Sequence, residues 1–234
     1  FDVSPITPGR TGVGNYCYFL LKNLLALDAN CEFCGYSTGR QRPELAEFPG
    51  LAGARHVPVP TRIMYRAWEH LGWPKVDRLL GGVDVCHGTN YVTPPTASAR
   101  RVLTVHDLAF LTVPQYCSPK IVGPFARRIG AYCREADAIM AYSESTKRDI
   151  VNELQIEPEK IAVAPMAVDE GFVPMERERA EAYVREAFGV EPPFFLFVST
   201  LEPRKNVVGL LKSFGRLAKL VPHKLVMVGS MGWL

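Results

Sequence analysis

The sequence lacks the features that mark several classes of protein. No stretch of its 234 residues approaches the roughly 18 to 20 consecutive apolar residues that a transmembrane helix requires. Its 27 Lys and Arg residues exceed its 24 Asp and Glu residues by only three, an imbalance too small to indicate nucleic-acid binding. With 47% hydrophobic and 22% charged residues, the composition is that of an ordinary globular protein.

Metal-binding motifs are also scarce. Cys31 and Cys34 form one C-x-x-C pair, but no second pair and no H-x-x-x-H motif accompanies it to complete a zinc site. We therefore predict no metal site and interpret the pair as part of a strand over residues 31–37. The six cysteines lie on or beside predicted buried elements, which favours reduced thiols and a cytoplasmic location.

The segment 194–206, FFLFVSTLEPRKN, predicts a strand, a loop and the start of a helix. Its unbroken apolar run is typical of a parallel strand buried on both faces, and Pro203 fits the first position of the helix. Ligands of parallel α/β sheets bind beyond the carboxyl ends of strands, where helix N-termini attract anions. Arg204 and Lys205 fall at this end, where unpaired cations oppose the helix dipole unless an anion is bound. They are candidate phosphate ligands, with a solvated basic pair as the alternative.

A glycine-rich segment, GRTGVGNY over residues 9–16, precedes a predicted amphipathic helix. Gly12 and Gly14 allow a ligand to approach the backbone, and the free N–H groups of a helix N-terminus favour a phosphate. The spacing is not G-x-G-x-x-G, which disfavours a nucleotide-dependent dehydrogenase. A turn that needs positive φ angles explains the glycines equally well.

Two predicted strands each lead to a histidine. Residues 83–86 precede His87 and the loop GTNYVTPP, and residues 101–105 precede His106 and Asp107. Because parallel strands end at the same edge of a sheet, both histidines are candidate site residues. The alternative is that each is an ordinary loop histidine.

Alternating strands and helices indicate an α/β fold with a doubly wound parallel sheet. We predict an N-terminal Rossmann-like domain over residues 1–166, a linker and helix over 167–192, and the beginning of a second Rossmann-like domain over 193–234.

One long helix is predicted over residues 62–80, where basic and aromatic residues mix as in helices that lie at a membrane surface. A core-packing helix with a solvated face is favoured because Glu69 and Asp77 dilute the positive charge.

A succession of motifs runs along nearly the whole chain: TGVGNY, HGTNYVTPP, TVHDLAFL, AYSESTKRDI, VAPMAVDEGFVP, FLFVSTLEPRKN and KLVMVGSMGW. In this order they resemble the retaining family 4 glycosyltransferases of the two-domain GT-B fold, and the mannosyltransferase-like members most. The resemblance implies transfer of a hexose, with mannose favoured, from a nucleotide-diphosphate sugar such as GDP-mannose to a glycan or lipid-linked acceptor. It also implies that neither a metal nor a further cofactor is required.

The resemblance implies roles for individual residues. Arg204 and Lys205 match the basic pair that binds the donor phosphates, and Gly12 and Gly14 match the glycine-rich loop beside the diphosphate. His106 matches the histidine that contacts the donor sugar near the reacting carbon, where positioning and charge stabilisation supply most of the catalysis. The acceptor side is matched by four further residues: Asn90, His87, Tyr16 and Asp107.

Alternative functions remain open at this point. The family has a pair of glutamates in its second domain, and the sequence ends before such a pair, so we expect residues 1–234 alone to be inactive. A truncated, non-catalytic nucleotide- or phosphate-binding module is one alternative. Another is a different GT-B enzyme, such as a nucleotide-sugar epimerase or a sucrose- or glycogen-type synthase. We expect no nucleic-acid partner, while contact with the inner face of the membrane is left open because acceptors of this family are often lipid-linked.

Overall fold

The computed structural model of the protein describes residues 1–27 and 30–232 and confirms the predicted α/β fold with parallel sheets. The chain divides into two compact units. Unit 1 comprises Phe1–Thr112 and Gly123–Ala167, and unit 2 comprises Val113–Val122 and the described residues from Val168 onward. The domain and linker boundaries expected from the sequence stay predictions, and Trp233, part of the last motif, lies outside the described residues.

All the strands of unit 1 pair in parallel: β1 (Cys34–Thr38), β2 (Gly53–Val57), β3 (Val85–Gly88), β4 (Arg100–Val105), β5 (Ala138–Ala141) and β6 (Ile161–Val163). The helices up to residue 167 are α1 (Gly12–Ala26), α2 (Thr61–Leu71), α3 (Val76–Leu79), α4 (Ala109–Thr112), α5 (Pro119–Glu135) and α6 (Glu144–Leu154). Beyond residue 167 lie α7 (Arg177–Phe188), β7 (Phe194–Val198), α8 (Val207–Leu217) and β8 (Lys224–Val228). None of the helices in the described ranges is both long enough and apolar enough to span a bilayer.

The first residues of the chain join the strands of unit 1. β1 pairs with β2, and β3, β4, β5 and β6 are neighbours in that order. The extended segment Phe1–Val3 lies between β1 and β3, because the Tyr36 N–H donates to the Phe1 carbonyl and the Asp2 N–H donates to the His87 carbonyl, each at 2.9 Å. The carboxyl ends of these parallel strands therefore meet at one edge, where α/β proteins place their sites.

The apolar face of α1 forms one part of the core. Cys17 and Leu21 are fully buried and pack with Val3, the last residue of the extended segment Phe1–Val3, and with Ile6, which follows that segment. Burying a side chain the size of leucine stabilises the fold by about 1.5 to 3 kcal/mol. This packing sets the N-terminal turn of α1 beside the segment that leaves the sheet.

The single helix predicted over residues 62–80 is wrong, because the structure has two helices there. α2 ends before Gly72, which adopts a left-handed φ of 58°, and α3 begins at Val76. Pro74 cannot donate a backbone hydrogen bond and disfavours a helical conformation of the residue before it. A glycine followed by a proline is a common way to end a helix, so the break is encoded locally.

The expectation that β7 is buried on both faces is also wrong. Phe195, Leu196 and Val198 are 42%, 57% and 68% exposed. In the part of unit 2 that the structure describes, β7 pairs only with β8, and a sheet of two strands offers too little surface to bury both of its faces.

Candidate functional site

Four aromatic rings meet at the carboxyl edge of the unit 1 sheet. His106 directly follows β4 and Tyr142 directly follows β5, and the pairing of these strands sets the two ring centroids 4.8 Å apart. The ring of Tyr16, from α1, lies 5.6 Å from His106, and that of Tyr91, from the loop after β3, lies 5.2 Å away. We call Tyr16, Tyr91, His106 and Tyr142 the aromatic cluster.

The imidazole of His106 is neutral at physiological pH. Burial lowers its pKa to about 4, although a hydrogen bond with the Thr89 backbone and the charge of Asp107 act in the opposite direction. Nε2 is buried and has no hydrogen-bond partner among residues 1–27 and 30–232. The tautomer in which Nδ1 carries the proton leaves Nε2 as an acceptor without a partner.

His87 belongs to a hydrogen-bond chain inside the sheet. Its Nε2 lies 2.8 Å from Oγ1 of the buried Thr104, and that hydroxyl lies 3.4 Å from the Tyr16 hydroxyl. Burial, aided by the charge of the N-terminal amine, lowers the pKa of His87 to about 4. The expectation that His87 follows the end of its strand is wrong, because β3 extends through Gly88. His87 is therefore joined to the aromatic cluster through Thr104 and Tyr16.

The loop after β3 folds back over the end of its own strand. A Cβ atom at Gly88 would lie 2.0 Å from the Val92 carbonyl oxygen, so only glycine permits this path. Tyr91 takes a left-handed φ of 60°, and its N–H donates to the Thr104 carbonyl at 3.1 Å. The half-buried Asn90 immediately precedes Tyr91 and is thereby placed at the same edge.

Asp107 organises the turn that follows β4. Its backbone N–H donates to the Tyr91 hydroxyl at 3.2 Å, and its Oδ1 accepts from the Ala109 N–H, at the start of α4, at 3.0 Å. The Thr146 hydroxyl donates to the His106 carbonyl at 3.3 Å. These bonds fix the backbone on both sides of the His106 ring, so Asp107 has a structural task here besides the acceptor role expected from the resemblance.

The two candidate glycines differ in what surrounds them. Gly12 is exposed in the first turn of α1, no atom lies within 4 Å of a Cβ placed there, and Tyr16 follows one turn later. Gly14 is buried, and a Cβ there would lie 2.6 Å from the Pro5 carbonyl oxygen. Gly12 thus leaves open space beside the aromatic cluster, whereas close packing already explains Gly14. The alternative that a turn with positive φ angles requires glycine applies to Gly9, whose φ is 70°.

The basic pair of unit 2 lies ahead of its helix rather than in it. Pro203–Lys205 form a short 3-10 turn, and α8 begins only after Asn206, so the expectation that Pro203 opens the helix is wrong. The expectation of an unpaired Arg204 is wrong as well, because its Nη2 lies 2.9 Å from Oε1 of Glu202. Lys205 is exposed and makes no ion pair within the part of the chain that the structure describes. The argument for an anion therefore rests mainly on Lys205.

The structure thus brings the candidate residues of unit 1 to one edge of its sheet: Tyr16, His87, Asn90, His106 and Asp107. Sequence reasoning missed Tyr91, Thr104 and Tyr142. Tyr142 directly follows a strand, so the criterion that selected His106 would have found it, whereas Thr104 lies within β4 and carries no such signal. No group of three His, Cys, Asp or Glu residues in the described ranges could hold a metal ion; that the protein needs no metal stays a prediction.

Comparisons with known proteins cover the same region. The model of Glycosyltransferase Family 4 matches residues 10–172, which include the whole aromatic cluster. The chain is 23% identical over 151 residues to the O-antigen chain mannosyltransferase B of Escherichia coli, over 64% of this chain and 39% of that protein. It therefore spans about two fifths of the length of this curated relative. Together with the parallel sheets, the match confirms the expected GT-B type of fold.

Proposed function

Because the chain belongs to Glycosyltransferase Family 4, we propose that the full-length protein transfers a hexose from a nucleotide-diphosphate sugar to a glycan or lipid-linked acceptor, with retention of the anomeric configuration. The name of the mannosyltransferase relative supports mannose, and hence GDP-mannose as the donor. The observation that carries the proposal is the unpaired Nε2 of His106 within the aromatic cluster, at the sheet edge where α/β proteins bind ligands.

His106 acts by positioning the donor sugar. A buried acceptor without a partner is unfavourable. A sugar hydroxyl that donates to Nε2 therefore forms a strong hydrogen bond, provided that a neighbouring ring of the aromatic cluster rotates to admit it. With a pKa of about 4 the imidazole is a weak base at neutral pH, which favours orientation over proton abstraction. The tyrosines offer apolar faces and polar hydroxyls, a combination that suits a sugar ring.

Each unit by itself offers candidate ligands for a phosphate. In unit 1, the first turn of α1 has free N–H groups, and the open space at Gly12 lets a phosphate approach them. In unit 2, Lys205 offers a positive charge to a phosphate, and Arg204 adds a guanidinium that Glu202 already orients. Such charge stabilises the developing negative charge of the transition state, and we propose that the reaction needs no metal.

A donor panel on the full-length protein tests the proposal. Transfer is measured with GDP-mannose and UDP-glucose, and the anomeric configuration of the product is determined by NMR. His106→Ala and Lys205→Ala should each lower kcat/KM by about 100-fold, the usual effect of removing one group that stabilises the transition state. Lys219→Ala, which removes an exposed lysine of the same unit, is the matched control and should leave kcat/KM unchanged.

Three results would contradict the proposal in different ways. Tight nucleotide binding without any transfer would support a non-catalytic binding module. Conversion of the donor sugar into its epimer without an acceptor would support an epimerase. Unchanged turnover of His106→Ala would remove the aromatic cluster from the reaction.

A further inference from the structure

Thr104 places a hydroxyl in the buried end of β4. The residue is fully buried, as are its neighbours Leu103 and Val105. Valine has the same branched shape without a polar atom, so packing alone does not require threonine at this position. A buried hydroxyl is unfavourable unless it forms hydrogen bonds. The presence of threonine must therefore be explained by the groups that its hydroxyl contacts.

The Thr104 hydroxyl contacts two side chains from other elements. Its Oγ1 lies 2.8 Å from Nε2 of His87, in β3, and 3.4 Å from the hydroxyl of Tyr16, in α1. A hydroxyl has one proton and two lone pairs, so Thr104 can donate to one of these groups while it accepts from the other. The short contact holds the Thr104 side chain in place, and the longer contact joins it to the aromatic cluster.

These contacts determine how the Tyr16 hydroxyl meets a ligand. Burial lowers the pKa of His87 to about 4, so its ring is neutral at physiological pH and Nε2 is either a donor or an acceptor. A donating Nε2 leaves the Thr104 proton for the Tyr16 oxygen, and Tyr16 then offers its own proton to a ligand. An accepting Nε2 takes the Thr104 proton, and Tyr16 then donates to Thr104 and offers its lone pairs.

The backbone of Thr104 anchors a second ring of the aromatic cluster. Its carbonyl accepts from the Tyr91 N–H at 3.1 Å. The rings of Tyr16 and Tyr91 lie 5.6 Å and 5.2 Å from that of His106. Two of the tyrosines that surround His106 are thus attached to a residue that is itself closed to solvent.

A second buried threonine provides a matched comparison. Thr93 lies in the loop after β3 and is 2% exposed. Its Oγ1 has no hydrogen-bond partner in the part of the chain that the structure describes. Replacing Thr93 with valine therefore removes a buried hydroxyl without leaving another group unpaired, whereas the same change at Thr104 leaves both His87 Nε2 and the Tyr16 hydroxyl without this contact.

We propose that Thr104 is a positioning residue, which holds Tyr16 beside His106 and orients the Tyr16 hydroxyl for the bound substrate. This role rests on the proposed function, because it is a part in the transfer reaction. The 3.4 Å contact is long for two hydroxyls. Hydrogen bonds of active sites are often long without a ligand and tighten in the transition-state complex. A bond that tightens only there affects kcat and leaves KM unchanged.

Steady-state kinetics of the full-length protein test this role, with GDP-mannose, or with UDP-glucose if the wild type uses that donor. Thr104→Val should lower kcat about fivefold at an unchanged KM, the usual effect of losing one hydrogen bond between neutral groups. Thr104→Ser keeps the hydroxyl and should retain most of the wild-type kcat. The control Thr93→Val should leave kcat unchanged. In a Tyr16→Phe background, Thr104→Val should have no further effect, because the two residues act as a unit.

NMR of tyrosine labelled with 13C at Cζ follows the contact without turnover. The Tyr16 signal, identified by its absence in Tyr16→Phe, should shift in Thr104→Val and stay in place in Thr93→Val. An unshifted signal would overturn the proposal. So would a wild-type kcat in Thr104→Val, or equal losses in Thr104→Val and Thr104→Ser, and both results would leave the proposed function intact.

Tyr16→Phe removes the same contact from the other side and leaves the core of the sheet untouched. Its kcat should fall at least as far as that of Thr104→Val. An unchanged kcat in Tyr16→Phe would overturn the proposal even if Thr104→Val does not fold. A wild type that transfers no sugar from either donor would instead overturn the proposed function, and the role of Thr104 with it.

Discussion

Replacing His106 with asparagine should remove part of the acid sensitivity of the fold. An unfolded histidine takes up a proton as the pH falls below its ordinary pKa of 6.5, whereas the buried His106 does so only near pH 4. Between these values the unfolded state binds more protons, so the free energy of unfolding decreases as the pH falls from about 6.5 to about 4. Above this window His106 contributes no pH dependence.

The magnitude follows from the two pKa values. With 6.5 for the unfolded and about 4 for the folded chain, the loss at about pH 5 is about 2 kcal/mol, and it approaches about 3 kcal/mol below pH 4. Asparagine does not titrate in this pH range. The His106→Asn variant should therefore be less stable than the wild type at every pH, because the packing of the ring is lost. Between pH 7 and pH 5, however, its free energy of unfolding should change less than that of the wild type.

Urea unfolding followed by tryptophan fluorescence measures this difference, since Trp68 and Trp73 both lie in unit 1. Midpoints at several pH values are compared for the wild type, His106→Asn and the control His70→Gln, which removes an exposed histidine. The control should follow the wild type. If His106→Asn shows the full pH dependence of the wild type, the imidazole is not held neutral by burial, and its assignment as a free acceptor fails.

Three further predictions concern stability and binding, each measurable by urea unfolding. Gly12→Ala should raise the free energy of unfolding by about 0.5 kcal/mol and weaken GDP-mannose binding in calorimetry. Gly14→Ala should lower the free energy of unfolding by about 2 kcal/mol, because its Cβ would meet the Pro5 carbonyl. Equal changes in stability in the two variants would contradict the different roles assigned to the two glycines. Asp77→Ala should cost about 2 kcal/mol near neutral pH. Burial alone raises the pKa of Asp77, but backbone N–H donors lower it to about 2. The stability that this carboxylate contributes is therefore present above about pH 4 and is lost as the pH falls toward 2. A free energy of unfolding that decreases equally between pH 4 and pH 2 in Asp77→Ala and in the wild type would contradict this. Ser143→Ala should lower the free energy of unfolding by about 1 kcal/mol, because the Ser143 hydroxyl caps α6 by accepting from the Thr146 N–H. An unchanged free energy of unfolding would mean that this cap does not stabilise the fold.

Part of the candidate site could be predicted because strand ends are visible in a sequence. β7 occupies the apolar run at the start of the segment 194–206, since a short apolar run before a turn indicates a strand of a parallel sheet. His106 follows such a run directly, so its place at the sheet edge required no knowledge of any contact. The same reasoning misplaced His87, because nothing in the sequence shows that β3 continues for two further residues before its loop turns back.

The charge state of the site could not be predicted from residue order. Arg204 was expected to lack a partner, yet Glu202, two residues earlier, turns its carboxylate onto the guanidinium. Glu69 and Asp77 were expected to dilute the charge of the helix predicted over residues 62–80, yet Glu69 pairs with Arg128 and Asp77 faces inward. Side-chain direction depends on rotamers and neighbours, which a linear sequence does not specify.

The sequence by itself determined the parallel α/β fold, the order of its elements and the strand ends at which polar residues gather, because periodicity and turn residues are local properties. Only the tertiary structure decided that Tyr16, Tyr91 and Tyr142 surround His106, that Thr104 links His87 to Tyr16, and that Nε2 is left without a partner. The four rings of the aromatic cluster come from α1, from the loop after β3 and from the residues that follow two paired strands. Their meeting, and the burial that keeps the imidazole neutral, arise from long-range packing, which no local pattern encodes.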